Sequence, residues 1–176
     1  YPAEKFLAEV DKAVSTTDAH ALEKIKKKAL VSRNPLLTRQ PILFVTRKQY
    51  RRDHHNTATL FEPGEINTGS YDTEGDLKLL NTADGSVRTL LDPGPNATVR
   101  DPEVSFDGKR IVFSMRKGKQ DFYHIYTINA DGTKLRQLTA APGVSDIDPA
   151  WLPDGDIVFS SSREPKYCMC NRHIMA

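Results

Sequence analysis

The chain has 176 residues, 38% of them hydrophobic and 27% charged, a length that suits one ordinary domain. Its formal net charge is +2 with both signs interspersed, which leaves no nucleic-acid or membrane-surface footprint. No apolar run approaches the ~18 residues of a membrane span, and two cysteines one residue apart, Cys168 and Cys170, make no disulfide framework.

Residues 2–31 read as helix. Phe6, Leu7, Val10, Ala13 and Val14 form one apolar stripe, and Leu22, Ile25, Ala29 and Leu30 form a second. Ser15-Thr16-Thr17-Asp18 between them is a stop and N-cap cluster, so two short helices are expected as a hairpin over 1–33. Lys24, Lys26, Lys27 and Lys28 fit a solvated helix face whose cations suit the C-terminal end of the macrodipole.

From residue 34 onward the sequence repeats itself. Asp101-Pro-Glu-Val-Ser-Phe-Asp-Gly-Lys-Arg-Ile-Val-Phe-Ser-Met-Arg116 returns as Asp148-Pro-Ala-Trp-Leu-Pro-Asp-Gly-Asp-Ile-Val-Phe-Ser-Ser-Ser-Arg163. Asp-Pro recurs 47 residues on, from Asp101 to Asp148, as does the Asp-Gly turn from Asp107 to Asp154. A weaker copy opens at Asn34-Pro35 and runs through Ile42-Leu-Phe-Val-Thr-Arg47; its second half, Asp76 to Leu90, aligns with His124 to Leu138. Asp-Gly between alternating apolar residues is a hairpin signal, and a period in the forties with strand content is the signature of β-propeller blades.

The predicted fold is therefore all-β. A partial β-propeller of about three four-stranded blades occupies 34–176, with the last blade truncated, after the N-terminal α-helical hairpin. Blade A spans 35–92 with an insertion at 48–74, blade B spans 101–140, and blade C spans 148–176 and is incomplete. Each blade runs a (after Asn/Asp-Pro), b (Ile-Val-Phe-Ser), c and d. A closed propeller of four blades at ~40–45 residues each would need nearly the whole chain, so the sequence reads as a piece of a larger protein. Pro102 and Pro149 are expected at strand starts, where a missing N–H is harmless. Trp151 is expected to pack between blades, and Arg116 and Arg163 to close salt bridges or snorkel at strand ends.

The pattern Asp-Pro…Asp-Gly-Lys-Arg-Ile-Val-Phe-Ser…Arg, followed by Asn-Ala-Asp-Gly-Thr…Arg-Gln-Leu-Thr, resembles the repeats of TolB-type propellers. A narrower likeness covers 34–176. Asn34-Pro-Leu-Leu37, Ile42-Leu-Phe-Val45, Asp53-His-His-Asn-Thr-Ala58, Val104-Ser-Phe-Asp-Gly108 and Tyr167-Cys-Met-Cys-Asn-Arg-His173 together resemble propeller proteins related to the hydrazine synthase alpha subunit. Those are large secreted bacterial proteins in which helices precede the propeller. The resemblance implies a periplasmic or otherwise extracytoplasmic location and admits haem-based redox chemistry. Haem c attachment needs Cys-x-x-Cys-His; Cys168-Met169-Cys170 is one residue too tight and His173 lies three residues beyond, so haem c is not supported within this chain.

Two segments depart from the repeat. Residues 48–74 carry Asp53, His54 and His55; residues 164–173 carry Cys168, Cys170 and His173. Both fall between strands b and c, and in an up-and-down blade every b–c connection emerges at the same face. Thiolates and imidazoles bind zinc, copper or iron, so Cys168, Cys170, His173, His54 and His55 are the candidate ligands of a transition metal, zinc first. The competing reading makes the cysteines small anchors of a loop and His54 and His55 solvated polar residues beside Arg51, Arg52 and Asp53. Ser160-Ser161-Ser162 lacks the glycine elbow of a hydrolase nucleophile, and the glycines sit singly at turns rather than in a phosphate loop.

The function expected from this is a scaffold or binding module, presenting b–c loops on one face to a protein or small-molecule ligand. The remaining blades of the full-length protein are its structural partners. The alternative is part of a metal- or haem-dependent redox enzyme resembling the hydrazine synthase alpha subunit.

Overall fold

A computed structural model describes residues 3–35, 37, 40–48, 73–164, 166–167 and 173–174, the last two pairs by their backbone. The chain is mostly β with an N-terminal two-helix hairpin, and it divides into two compact units: Tyr1–Ile42 with Leu79–Arg88, and Leu43–Lys78 with Thr89–Ala176.

In the first unit, α1 (Ala3–Ser15) packs on α2 (Ala19–Lys27), which runs into a π-helical turn, Lys28–Ser32. The chain stops α1 with Thr17 at φ 54° and restarts at Asp18, whose carboxylate accepts the Ala21 N–H at 2.9 Å. That bond satisfies one of the donors a helix start leaves unpaired. The buried stripe is narrower than the sequence pattern: Phe6 and Ala13 are buried, whereas Leu7 and Val14 are exposed. A hairpin of two short helices covers only the facing third of each surface. Lys28 reaches across to Glu9 at 3.4 Å and lies over the Phe6 ring, while Lys24, Lys26 and Lys27 face solvent.

Three antiparallel sheets follow, and none closes on itself. The first is β1 (Ile42–Thr46), β2 (Asp76–Leu80) and β3 (Val87–Leu91), in that order. The second is a four-stranded meander, β4 (Thr98–Val104), β5 (Arg110–Arg116), β6 (His124–Asn129) and β7 (Arg136–Gln137). The third pairs β8 (Asp146–Trp151) with β9 (Ile157–Ser161). A two-residue ladder joins β10 (Lys166–Tyr167) to β11 (His173–Ile174).

The meander holds the best-formed core. Strand β5 is buried from Ile111 to Arg116. Its two faces alternate: Ile111, Phe113 and Met115 pair with Ile128, Tyr126 and His124, whereas Val112 and Ser114 pair with Thr127 and Ile125. Phe113 and Tyr126 stack with centroids 6.0 Å apart. On the other face Val112 and Ile125 pack with Trp151 of β8, together with Ile157 and Phe159 of β9. Trp151 therefore fills the space between two consecutive repeats, as its size and position predict.

The two prolines do not start their strands. Pro102 and Pro149 sit inside β4 and β8, where the pairing register slips between Arg100 and Glu103 and again between Ile147 and Ala150. The preceding residues, Asp101 and Asp148, have φ of 52° and 54°. A residue without an N–H cannot join the ladder, and an αL residue beside it makes a β-bulge, so pairing resumes past the proline instead of beginning there.

Each repeat turn is built alike. Asp107, Asp131, Asp154 and Asp84 accept the backbone N–H two residues on, at 3.0, 2.8, 3.1 and 2.8 Å, and the following glycine takes positive φ in every case. At Gly132 (φ 94°) an added Cβ would also stand 3.0 Å from the Leu90 carbonyl, so this glycine is required by both backbone and space. Hydrogen bonds from Ser86 to Asp84, from Ser105 and Lys109 to Asp107, and from Thr133 to Asp131 hold these carboxyls below their ordinary value of 3.8. A carboxyl that is more acidic in the folded chain supports folding at pH above its unfolded value and withdraws that support as pH falls through its folded value. Acid unfolding below pH ~4 is thus expected to begin with these turns, and Asp131→Asn, which keeps the acceptor oxygen, is expected to flatten that limb in pH-dependent urea melts.

Candidate functional site

One edge of the meander gathers the end of β5 and the starts of β4 and β6, and the end of β9 lies beside the start of β8 in the same way. Arg116 ends β5 with its side chain buried. Its Nε donates to the Gly118 carbonyl at 3.1 Å and its Nη2 to the Lys119 carbonyl at 2.6 Å. Asp121 then accepts the N–H groups of Lys117 (3.1 Å) and Phe122 (2.9 Å). A guanidinium offers a rigid fork of donors and a carboxylate accepts several, so these two side chains fix the whole β5–β6 connection.

The corresponding end of β9 uses a different device. Arg163 grips Asp146 with two bonds, Nη1 to Oδ1 at 2.6 Å and Nη2 to Oδ2 at 3.0 Å, and Ser161 adds an O–H to Oδ1 at 2.8 Å. Asp146 is fully buried, while the Arg163 side chain is 39% exposed. The Asp146 N–H donates to the Tyr123 carbonyl at 2.8 Å, which ties this cluster back to the β5–β6 connection. Arg100 and Arg116 both lie near the Tyr123 ring, at 5.6 and 5.8 Å.

His124, the first residue of β6, stands at the same edge. It is 8% exposed, and its Nδ1 is buried with no hydrogen-bond partner among the described residues. Burial lowers its pKa from the ordinary 6.5 against the pull of Asp121 and Asp146, so the fold disfavours the charged imidazole. His124 is unmarked in the sequence because it occupies an ordinary strand position. So is Asp146, whose repeat equivalent is Val99; the only signal for it is the arginine that recurs at 116 and 163.

Of the predicted metal ligands, His54, His55, Cys168 and Cys170 lie outside the described residues. His173 is described by its backbone, paired with Tyr167. The described residues hold no group of three or more His, Cys, Asp or Glu side chains arranged for a metal.

The opposite edge carries a groove of about 170 Å³ between the β4–β5 and β8–β9 turns. Arg110 crosses it over the Trp151 ring at 4.5 Å. Asp107 and Asp154 line it, but both carboxylates are engaged by their own turns. The groove is a seam between repeats.

No protein-family model matches this chain, and no curated protein matches it. Among solved structures, hydrazine synthase of Kuenenia stuttgartiensis is similar over 68% of this chain, at 20% sequence identity and a TM-score of 0.43. The chain spans 16% of the length of that protein. It is a β-rich fold that resembles part of hydrazine synthase.

Proposed function

We propose that this chain is a propeller scaffold and binding module, in which successive sheets are blades and the b–c connections are offered on one face to a protein or small-molecule ligand. The supporting observation is the anchoring of the described b–c edge: Arg116 and Asp121 fix one connection, and Arg163 with Asp146 fixes the strand end of the next. Loops that bind are commonly held by a rigid scaffold. The remaining blades of a longer polypeptide complete the fold in this reading.

Replacing residues 48–74 with a connection copied from Lys117–Phe122 tests it. A binding loop on a self-sufficient scaffold is dispensable for folding, and the shorter closure is expected to raise stability by about 1 kcal/mol. Cooperative unfolding lost in that variant would make the segment part of the core. Elemental analysis and an absorbance scan of the purified protein address the chemistry. A non-metal binding module keeps its metal content unchanged in Cys168→Ser and His54→Ala; zinc, copper or iron lost in both variants would assign the loops to a metal centre.

A further inference from the structure

The helical hairpin of the first unit carries a cleft of its own, about 180 Å³, lined by Lys5, Phe6, Lys28 and Arg33. Its floor is the Phe6 ring, which is 7% exposed. Lys5 and Phe6 belong to α1, whereas Lys28 opens the π-helical turn after α2 and Arg33 follows that turn. The Arg33 N–H donates to the Lys28 carbonyl at 2.9 Å, a bond that spans five residues. In a regular α-helix, residues five apart point to different sides. The wider turn brings these two cations to the same cleft, and such turns are frequent at functional sites.

Three cations thus converge on one cleft, and one carboxylate offsets them. Glu9 takes Lys28, with both carboxylate oxygens 3.4 Å from Nζ. The Lys5 ammonium and the Arg33 guanidinium hold no hydrogen bond or ion pair among the described residues. Lys5, Lys28 and Arg33 against Glu9 leave a formal charge of +2. Like charges gathered at a concave surface repel one another and focus a positive potential into it. The Phe6 ring and the alkyl stems of the three side chains set apolar surface beside that charge.

We infer that this cleft is a binding site for a small phosphate monoester that carries a ring. Such a monoester bears nearly two negative charges above pH ~7, which match the formal charge of the cleft. The guanidinium of Arg33 offers its oxygens a planar fork of donors, and the Lys5 ammonium adds a third direction of approach. Lys28 stays shared with Glu9, and the ring lies against Phe6. One ring suits the size, since a cavity of about 150 Å³ accommodates benzene. The inference is independent of the scaffold reading, which concerns the connections between β-strands.

Calorimetric titration of phenyl phosphate into the 176-residue chain tests this, at pH ~7.5 where the monoester is close to dianionic, with inorganic phosphate and benzoate as the other arms. Saturable binding is expected, about tenfold or more tighter than for either of the other two, with the Phe6 ring proton resonances shifted on titration. Arg33→Gln and Lys5→Gln are each expected to weaken it about tenfold, ordinary for one hydrogen-bonding group that carries charge. Lys24→Gln removes the same charge from an exposed position of α2 and is expected to leave binding unchanged. Circular dichroism checks that each variant keeps its helices; should one lose them, the Phe6 shift in the unsubstituted chain still decides. Absence of saturable binding, an unshifted Phe6 ring, or an equal loss in Lys24→Gln and Arg33→Gln would overturn the inference. Inorganic phosphate or benzoate bound as tightly as phenyl phosphate would overturn the assigned ligand class.

Discussion

Trp151→Ala is expected to lower the free energy of unfolding by about 3–5 kcal/mol, the range for truncating a large buried aromatic. The indole is 5% exposed and joins the β8–β9 pair to Val112 and Ile125 of the meander. Its removal leaves a void lined from both sheets, with the Arg110 guanidinium no longer stacked on a ring. Trp151→Phe is expected to cost far less. The indole Nε1 is buried without a hydrogen-bond partner among the described residues, so the smaller ring also removes an uncompensated donor. Urea denaturation of the three proteins measures the difference. A loss below ~1 kcal/mol for the alanine variant, smaller than a typical core truncation, would show that the two sheets do not share a core.

Arg116→Ala is the second large effect, at about 3–5 kcal/mol, from a cavity plus two stranded carbonyls. Arg116 is 1% exposed, and the Gly118 and Lys119 carbonyls receive its N–H groups. Arg116→Met refills the volume without restoring the donors, so its loss should fall between wild type and alanine. Arg163 presents a contrast. Its side chain is 39% exposed, solvent screens the pair with Asp146, and Ser161 still donates to that carboxylate when the arginine is gone. Arg163→Ala is therefore expected to cost about 1–2 kcal/mol, below the ~3–5 kcal/mol of a wholly buried pair. Hydrogen exchange distinguishes the two sites: Arg116→Ala should release the amides of the β5–β6 connection first. Unchanged protection there would mean that the guanidinium does not hold the connection.

The repeat was the legible part of this protein. Its period located the Asp-Gly turns, the apolar b strands and Trp151, because each of these is a local requirement of backbone or packing that the sequence must state. The Asp-Pro pair was legible as a feature but not as a bulge, since the slip in pairing depends on a partner strand that the pair itself does not specify. The helical stripe overstated burial for Leu7 and Val14 because periodicity shows which face is apolar and not how much of it a neighbour covers. His124 and Asp146 were invisible for a related reason: a strand position or a residue just before a motif gains its character only when the fold buries it. His54, His55, Cys168 and Cys170 stand out in sequence and lie outside the described residues, so the ligand reading rests on sequence alone.

In the scaffold reading proposed above, the repeat register is expected to bring residues 48–74 and 164–173 to the edge where the β5–β6 connection lies. Spin labels placed at Asn56 or Asn171, each paired with a label at Lys119 on that edge or at Asp107 on the opposite one, test it directly by double electron–electron resonance, after Cys168→Ser and Cys170→Ser remove the native thiols. A strand of seven residues separates the two edges by about 20 Å at ~3.3 Å per residue. Both labels are expected to lie nearer Lys119 than Asp107, by on the order of 10 Å, half that strand length. Distances that are equal, or shorter to Asp107 for either segment, would contradict it.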